Sequence, residues 1–308
     1  MSSQRSDLGI VVGVDGSQSS TVAVEWAARD AEMRNVALRV VYVVAPVAAE
    51  IPAPPDYARW QEDQARQIIE AAHKVAVGAS SPNRASQVTS EVLYAPIVPA
   101  LVDLSKQADM VVVACRGEGA VARALLGSVS SGLVHHAHCP VAVIHDEDPL
   151  TARSPDAPVV VGIDGSPTSE LATEIAFDEA SRRGVGLVVL HAWTDMGPLE
   201  FPSINWAPIE WRNIKDQEEE VLAERLCGWQ ERYPDVVVHK IVMSDRPAPR
   251  LLEQAQTAQL VVVGSHGRGG FPGMLLGSVS TAVVNAAQIP VIIARMPHQQ
   301  GGVVPGSK

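Results

Sequence analysis

The chain repeats itself at a distance of 149 to 150 residues, which argues against reading its 308 residues as one continuous unit. Gly9–Ser17 (GIVVGVDGS) aligns with Pro158–Ser166 (PVVVGIDGS) at an offset of 149. Asp109–Gly117 (DMVVVACRG) then aligns with Gln259–Gly267 (QLVVVGSHG) at 150, as do Leu125–Ser131 with Leu275–Thr281 and Cys139–Ile144 with Ile289–Ala294. One inserted residue separates the halves. A period this long exceeds any solenoid repeat, so a duplicated domain is expected: 1–147 and 156–296, with a Pro- and Asp-containing linker between them and a frayed tail at 297–308.

Each half carries the same succession of signals. A β-branched run (Ile10–Val14; Val159–Ile163) ends in Asp-Gly-Ser, which marks a turn and a helix start. A helical stretch follows, Thr21–Arg34 or Ser169–Arg183, the second closed by Gly184. The next strands are read at Leu38–Val44 and Leu187–Ala192. Their apolar residues run continuously, as in parallel strands covered on both faces. Strands alternating with helices predict two tandem doubly wound α/β domains. After the second strand, both halves have a Pro-rich passage (Ala45–Tyr57; Thr194–Pro208) and a polar helix (Trp60–Val77; Glu210–Arg232). The second passage concentrates Trp193, Phe201, Trp206 and Trp211, which either pack it onto its neighbour or form a lid or partner surface.

Composition narrows the function classes. Hydrophobic residues are 46% and aromatics 4%, so the core is built from small aliphatic side chains. With 24 basic against 35 acidic residues, a net charge of −11 and no basic tract, nucleic acid and anionic membrane are poor partners. No apolar run is long enough to span a bilayer, and Leu8 opens the first strand too soon for a signal segment. Cys115, Cys139 and Cys227 are too scattered for a disulfide framework. A reduced, cytoplasmic protein is expected.

The strongest chemical signal follows the fourth strand. Gly264 and Gly267 are followed by nine residues and then Gly277-Ser278, a G-x2-G-x9-G-S pattern. Glycines at a strand end admit an anion to backbone N–H groups, and the helix opened by Ser278 attracts phosphate with its free N–H groups and dipole. The alternative is a loop of glycine turns with a serine cap. The first half has Ala114 in place of the first glycine, then Gly117, Gly127 and Ser128, and that methyl group threatens a close backbone contact. Asp15 and Asp164 end the first strands, where ligands of open α/β sheets bind, though each also suits the Asp-Gly-Ser turn. Arg116 and Arg123, and His266 and Arg268, place positive charge in the same loops.

Two other patterns are weaker. Gly117–Ala122 fits G-x-G-x-x-A but follows the fourth strand, and its counterpart breaks the pattern at Pro272. His135, His136, His138 and Cys139 are metal-capable types, yet they lie where a helix ends before Pro140, where imidazoles suit the helix dipole. Neither a P-loop nor a G-x-S-x-G elbow is present, and no general base stands out beside the glycine loops.

The Gly-Val-Asp-Gly-Ser start, G-x2-G-x9-G-S and the final Pro-Val strand resemble the universal stress protein family, over residues 8–145 and 157–295, in its tandem form. The resemblance implies five-stranded parallel sheets with helices on both faces, Rossmann-like in the manner of the adenine nucleotide alpha hydrolases. It further implies one ATP per domain, accompanied by Mg. Asp15 and Asp164 would hold the ribose, Val43 and Ala192 would meet adenine through their backbone, and the glycine loops would hold the phosphates. The candidate contacts comprise Gly13, Asp15, Val43, Ala114, Arg116, Gly117, Gly119, Arg123, Gly127, Ser128, Val129 and Ser130 in the first half. In the second they are Gly162, Asp164, Ala192, Gly264, His266, Gly267, Arg268, Gly269, Gly277, Ser278, Val279 and Ser280. The last strands, Val141–Ile144 and Val291–Ala294, should meet within the monomer, with homodimerisation beyond that. A nucleotide-dependent stress or dormancy regulator is the leading expectation. A slow ATPase or adenylyl-transferring enzyme, and a structural dimer with vestigial sites, are the alternatives.

Overall fold

The computed structural model describes residues 8–46, 56–117, 126–145, 154–192, 208–268 and 275–296. The first half runs β1 (Ile10–Val14), α1 (Gln18–Arg34), β2 (Leu38–Val44), α2 (Tyr57–Ala79), β3 (Val88–Tyr94), α3 (Ile97–Leu104), β4 (Met110–Ala114), α4 (Ser128–His136) and β5 (Val141–Ile144). The second repeats it: β6 (Val159–Gly162), α5 (Pro167–Arg183), β7 (Leu187–Ala192), α6 (Pro208–Arg232), β8 (Val238–Met243), α7 (Pro247–Ala255), β9 (Leu260–Gly264), α8 (Ser278–Ala286) and β10 (Val291–Ala294).

Helix α1 begins three residues before the sequence expectation because Ser17 is its N-cap, accepting the Ser20 N–H at 3.1 Å. In α5 Ser166 caps in the same way and Pro167 occupies the first turn, where its missing N–H costs nothing. Gly16 (φ 88°) and Gly165 (φ 79°) turn the chain between strand and cap through the left-handed region, which explains the glycine of Asp-Gly-Ser. At the far ends Asn35 (φ 57°) and Gly184 (φ 67°) close the two helices in left-handed conformations.

Among the described residues all strands lie in one ten-stranded sheet, ordered β3-β2-β1-β4-β5-β10-β9-β6-β7-β8. Within each half the five strands are parallel. The halves join where β10 pairs antiparallel with β5, Val291 opposite Val143 and Ile293 opposite Val141, so the last strands meet as expected. Alternating strand residues feed two apolar layers. Ile10, Val12, Val159 and Val161 pack with α1, α2, α5 and α6, while Val11, Val111, Val261 and Val291 pack with α3, α4, α7 and α8. Burial on both faces accounts for the continuous β-branched runs, each full Val or Leu burial being worth about 1.5–3 kcal/mol.

Two polar contacts reinforce the seam. Arg34 on α1 and Arg183 on α5 share Asp30 and Glu179, both carboxylates being fully buried, and Arg183 also sits 5.6 Å over the Trp26 ring. On the other sheet face, the buried Arg295 after β10 donates from Nε to the Ala137 carbonyl at 2.9 Å, closing the end of α4. Among the described residues, no helix is long and apolar enough to cross a membrane.

Candidate functional site

Two clefts open at the carboxyl ends of the strands, one in each half. The first, about 700 Å³, lies between the ends of β1, β2 and β4 and the start of α4. The second, about 370 Å³, is bounded equivalently by β6, β7, β9 and the start of α8. Of the sequence candidates, Gly13, Asp15, Val43, Ala114, Arg116, Gly117, Gly127, Ser128, Val129 and Ser130 line the first cleft. The second holds Gly162, Asp164, Ala192, Gly264, His266, Gly267, Arg268, Gly277, Ser278, Val279 and Ser280. Gly119, Arg123 and Gly269 lie outside the described residues, as does most of the G-x-G-x-x-A stretch.

Of the two roles the sequence left open for the aspartates, the structure shows the turn. Asp15 Oδ1 accepts the Ser17 backbone N–H at 3.0 Å and its hydroxyl at 2.6 Å, an Asx turn that sets the strand-to-helix corner. Asp164 Oδ1 accepts the Ser166 N–H at 2.9 Å. The other carboxylate oxygen faces the loop after the fourth strand. A Cβ on Gly117 would lie 2.1 Å from Asp15 Oδ2, and one on Gly267 would lie 2.5 Å from Asp164 Oδ2. In the second half Asp164 Oδ2 also accepts the Arg268 backbone N–H at 3.1 Å. These glycines are thus required by the close approach of the aspartates.

The helix starts differ in how their backbone groups are used. Ser17 and Ser166 cap α1 and α5 with their side chains. Helices α4 and α8 follow Gly127 and Gly277 with no side-chain cap, and their first residues, Ser128–Ser130 and Ser278–Ser280, line the clefts. Those helices are held in place from behind. Gly127 N–H donates to Cys115 O at 2.8 Å and Ser130 Oγ donates to the same carbonyl at 2.9 Å. Gly277 and Ser280 repeat this on Ser265 O, at 2.7 and 3.1 Å. Ser130 and Ser280 therefore spend their one proton on the fold, while Ser128 and Ser278 stand on the exposed side of the turn.

The cationic candidates are tied to the loops as well. Arg268 Nε donates to the Asp164 carbonyl. His266 contributes its own carbonyl to Thr168 Oγ1 and, at 3.2 Å, to Ser166 Oγ, while its ring Nδ1 lies 3.0 Å from Ser265 Oγ. Ala114 lines the larger cleft. The glycine at its counterpart is demanded by the approach of α5: a Cβ on Gly264 would meet Thr168 Oγ1 at 2.8 Å and Thr168 C at 3.0 Å.

Sequence reasoning missed Tyr57 and Gln61 at the start of α2, which line the first cleft, with Gln61 Nε2 donating to Ala45 O at 3.5 Å. Only their position after the Pro-rich passage pointed there. Trp193, Phe201 and Trp206 lie outside the described residues. The histidine and cysteine cluster is structural: His135 Nδ1 lies 2.6 Å from Ser131 O, and Cys139 is buried with its thiol pushed up to about 12. No group of three or more metal-capable side chains occurs among the described residues.

A profile of the Universal stress protein family matches residues 9–145 and 157–295. A universal stress protein of Mycobacterium tuberculosis is 68% identical over 315 aligned positions, spanning 97% of this chain and 98% of the relative. A second from the same species is 53% identical over 298 positions, spanning 96% and 99%. Among solved structures, a universal stress protein from Archaeoglobus fulgidus superposes with a TM-score of 0.67 at 20% identity, covering 95% of this chain and 99% of that one, and shares the fold.

Proposed function

The chain belongs to the universal stress protein family, and from that premise we propose that it binds ATP, one molecule in each cleft, as a nucleotide-dependent regulator in stress or dormancy. One observation carries the reading. Of the described helix starts lining the clefts, α1 and α5 have side-chain caps while α2, α3, α4, α7 and α8 lack them, and α4 and α8 alone combine an uncapped start with a preceding glycine loop. Uncapped N–H groups with a positive helix end are what phosphates bind.

The residues present fit such a ligand. Gly127 and Gly277 carry no side chain across the helix start, and Ser128 and Ser278 add hydroxyl donors. Arg116, His266 and Arg268 line the same clefts and offset phosphate charge. The strand ends at Val43 and Ala192 would present backbone groups to adenine, and Asp15 and Asp164 would receive the ribose hydroxyls on the oxygen facing Gly117 or Gly267. Any Mg would travel with the phosphates, where it would neutralise their charge. Among the described residues no side chain in either cleft is arranged as a base for water, and binding with at most slow hydrolysis is the reading, ahead of an ATPase or adenylyl transfer. A cytoplasmic homodimer with a protein partner completes it.

The test is direct. Denaturing freshly purified protein and identifying released nucleotide by mass spectrometry should recover adenine nucleotide without any having been added. A double variant, Asp164→Ala with Gly267→Ser, should lose binding in the second cleft. Unchanged binding by that variant would overturn the reading, and turnover near the ordinary enzyme range, about 1 s⁻¹ or more, would favour the enzyme instead.

A further inference from the structure

The helix that opens the second cleft ends against the loop that opens the first. Helix α8 starts at Gly277 in the second cleft and runs nine residues, about 13 Å, toward the first half. Along it a hydrogen-bonded ladder connects the two glycine caps. Gly277 O accepts the Thr281 hydroxyl at 2.8 Å, and Thr281 O accepts Asn285 Nδ2 at 2.7 Å. Asn285 Oδ1 accepts the backbone N–H of Leu126 at 3.2 Å, and Leu126 immediately precedes Gly127, the cap of α4 in the first cleft. Because the Thr281 carbonyl can take only a donor, the orientation of the Asn285 amide is fixed with its oxygen toward Leu126.

A second tie runs the other way. Arg295, 2% exposed, donates to Val134 O and Ala137 O at the end of α4. The same guanidinium donates at 3.1 Å to Leu275 O, two residues before Gly277. Each anion-binding helix start is therefore fastened by a side chain of the second half that also touches the helix belonging to the other cleft. The seam between β5 and β10 fixes the two helices relative to each other.

We propose that Asn285 and Arg295 are positioning residues for the clefts, Asn285 for the first and Arg295 for the second. Through them the two clefts are coupled: filling one orders the helix start of the other. The coupling rests on the nucleotide reading above, whereas the positioning does not. Ligand phosphates that immobilise α8 at its start hold Thr281 and Asn285 in register. Leu126 and Gly127 are then presented in the geometry the first cleft needs. Coupling between sites is reciprocal by linkage, so ligand in the first cleft strengthens binding in the second by the same factor.

The experiment uses the full chain with Asn285→Ala and Asn285→Asp, the latter retaining an acceptor for the Leu126 N–H. Without nucleotide, hydrogen exchange of the Leu126 and Gly127 amides should rise about tenfold in N285A and stay near the original rate in N285D. Calorimetric titration with ATP should show first-cleft affinity falling about fivefold in N285A and in Gly267→Ala, whose lesion lies in the second cleft. Combining the two should add little to either, whereas independent clefts would not respond to G267A at all. Should N285A misfold, Arg295→Lys, which keeps the charge but not the three-carbonyl geometry, should raise exchange at the Gly277 amide. Unchanged exchange in both variants overturns the positioning, even if ATP binds. Raised exchange with no ATP bound by the original chain upholds the positioning and overturns the nucleotide reading with its coupling. Equal first-cleft affinity in the original chain and G267A overturns the coupling alone.

Discussion

Arg183 on α5 reaches across the pseudo-twofold axis to Asp30 on α1, Nη2 to Oδ1 3.3 Å, and Arg34 returns the contact to Glu179. Both pairs stand 149 residues apart, so the duplication has brought two copies of one motif, an acid and an arginine four residues on, face to face. Each arginine also binds the acid on its own helix, Arg34 to Asp30 and Arg183 to Glu179, both at 2.7 Å. Asp178 joins this buried cluster at its more exposed edge, its Oδ2 3.4 Å from Arg34 Nη1, and Glu179 is the carboxylate that both arginines share most closely. Glu179→Gln removes the carboxylate that both guanidinium groups contact, leaving them Asp30 and, for Arg34, Asp178 at the edge of the cluster. We expect a loss of about 3–5 kcal/mol, the usual cost of breaking a buried pair, read by urea denaturation.

The same tetrad sets a pH dependence of unusual sign. Burial, and then the charge of Glu179, push Asp30 up to about 6 against the pull of both arginines. Burial acts upward on Glu179 too, but Arg183 and Arg34 together outweigh it and hold that carboxyl at about 2. A raised folded pKa means that Asp30 stabilises fully below its ordinary 3.8 and loses that contribution as pH rises through about 6. Stability should therefore grow by up to about 3 kcal/mol between pH 7 and 4 from this group. Glu179 acts oppositely, its contribution being present above its ordinary 4.5 and lost as pH falls toward 2. Asp30→Asn should abolish the rise between pH 7 and 4 and leave the fall below it. A variant whose stability still rises with the original slope would show that Asp30 is not the group taking up the proton.

Much of this architecture was legible in the chain. The β-branched runs gave every first, second and last strand to within a residue, because burial on both faces leaves a continuous apolar signal that polar loops interrupt. Both glycine loops were found because backbone approach admits few residue types. The tetrad was missed, although its acid-and-arginine spacing sits in plain view on α1 and α5. On a single helix that spacing reads as an ordinary surface pair, and only the meeting of β5 with β10 buries it. Asn285 and Arg295 were missed for the same reason: their partners are backbone groups about 160 residues away. Tertiary neighbours of that kind leave no local pattern.

Gly117 and Gly267 give a matched pair of tests. A methyl group on Gly267 would lie 2.5 Å from Asp164 Oδ2 and must displace the Arg268 N–H from that oxygen. The first half has the same conflict between Gly117 and Asp15 Oδ2. Each Gly→Ala change should weaken ATP binding in its own half by about 10–100-fold, since both the carboxylate and the loop shift. The unfolding midpoint should move far less, by a few degrees, because the contact lies at the cleft and not in the apolar layers. Calorimetry and thermal melts on the same samples separate the two effects. A large fall in melting temperature without loss of binding would contradict it.

Ala114 and Gly264 occupy equivalent positions and should answer differently to exchange. At Gly264 a Cβ would press on Thr168 Oγ1, Thr168 C and Ser169 N, at 2.8, 3.0 and 3.1 Å, two of them backbone atoms of the α5 start that cannot rotate away. Gly264→Ala should therefore push that helix start outward, costing about 1–3 kcal/mol as overpacking does. It should also disturb the Thr168 and Ser166 hydroxyls that hold the His266 carbonyl. Ala114 already carries its methyl group beside the apolar layer and lines a cleft larger than its counterpart. Ala114→Gly should cost only the added chain entropy, about 0.5–1 kcal/mol, and leave first-cleft affinity for ATP within about twofold. Were the methyl group obstructing ligand, A114G would instead tighten binding, which titration of the G267A background, with the second cleft impaired, would reveal.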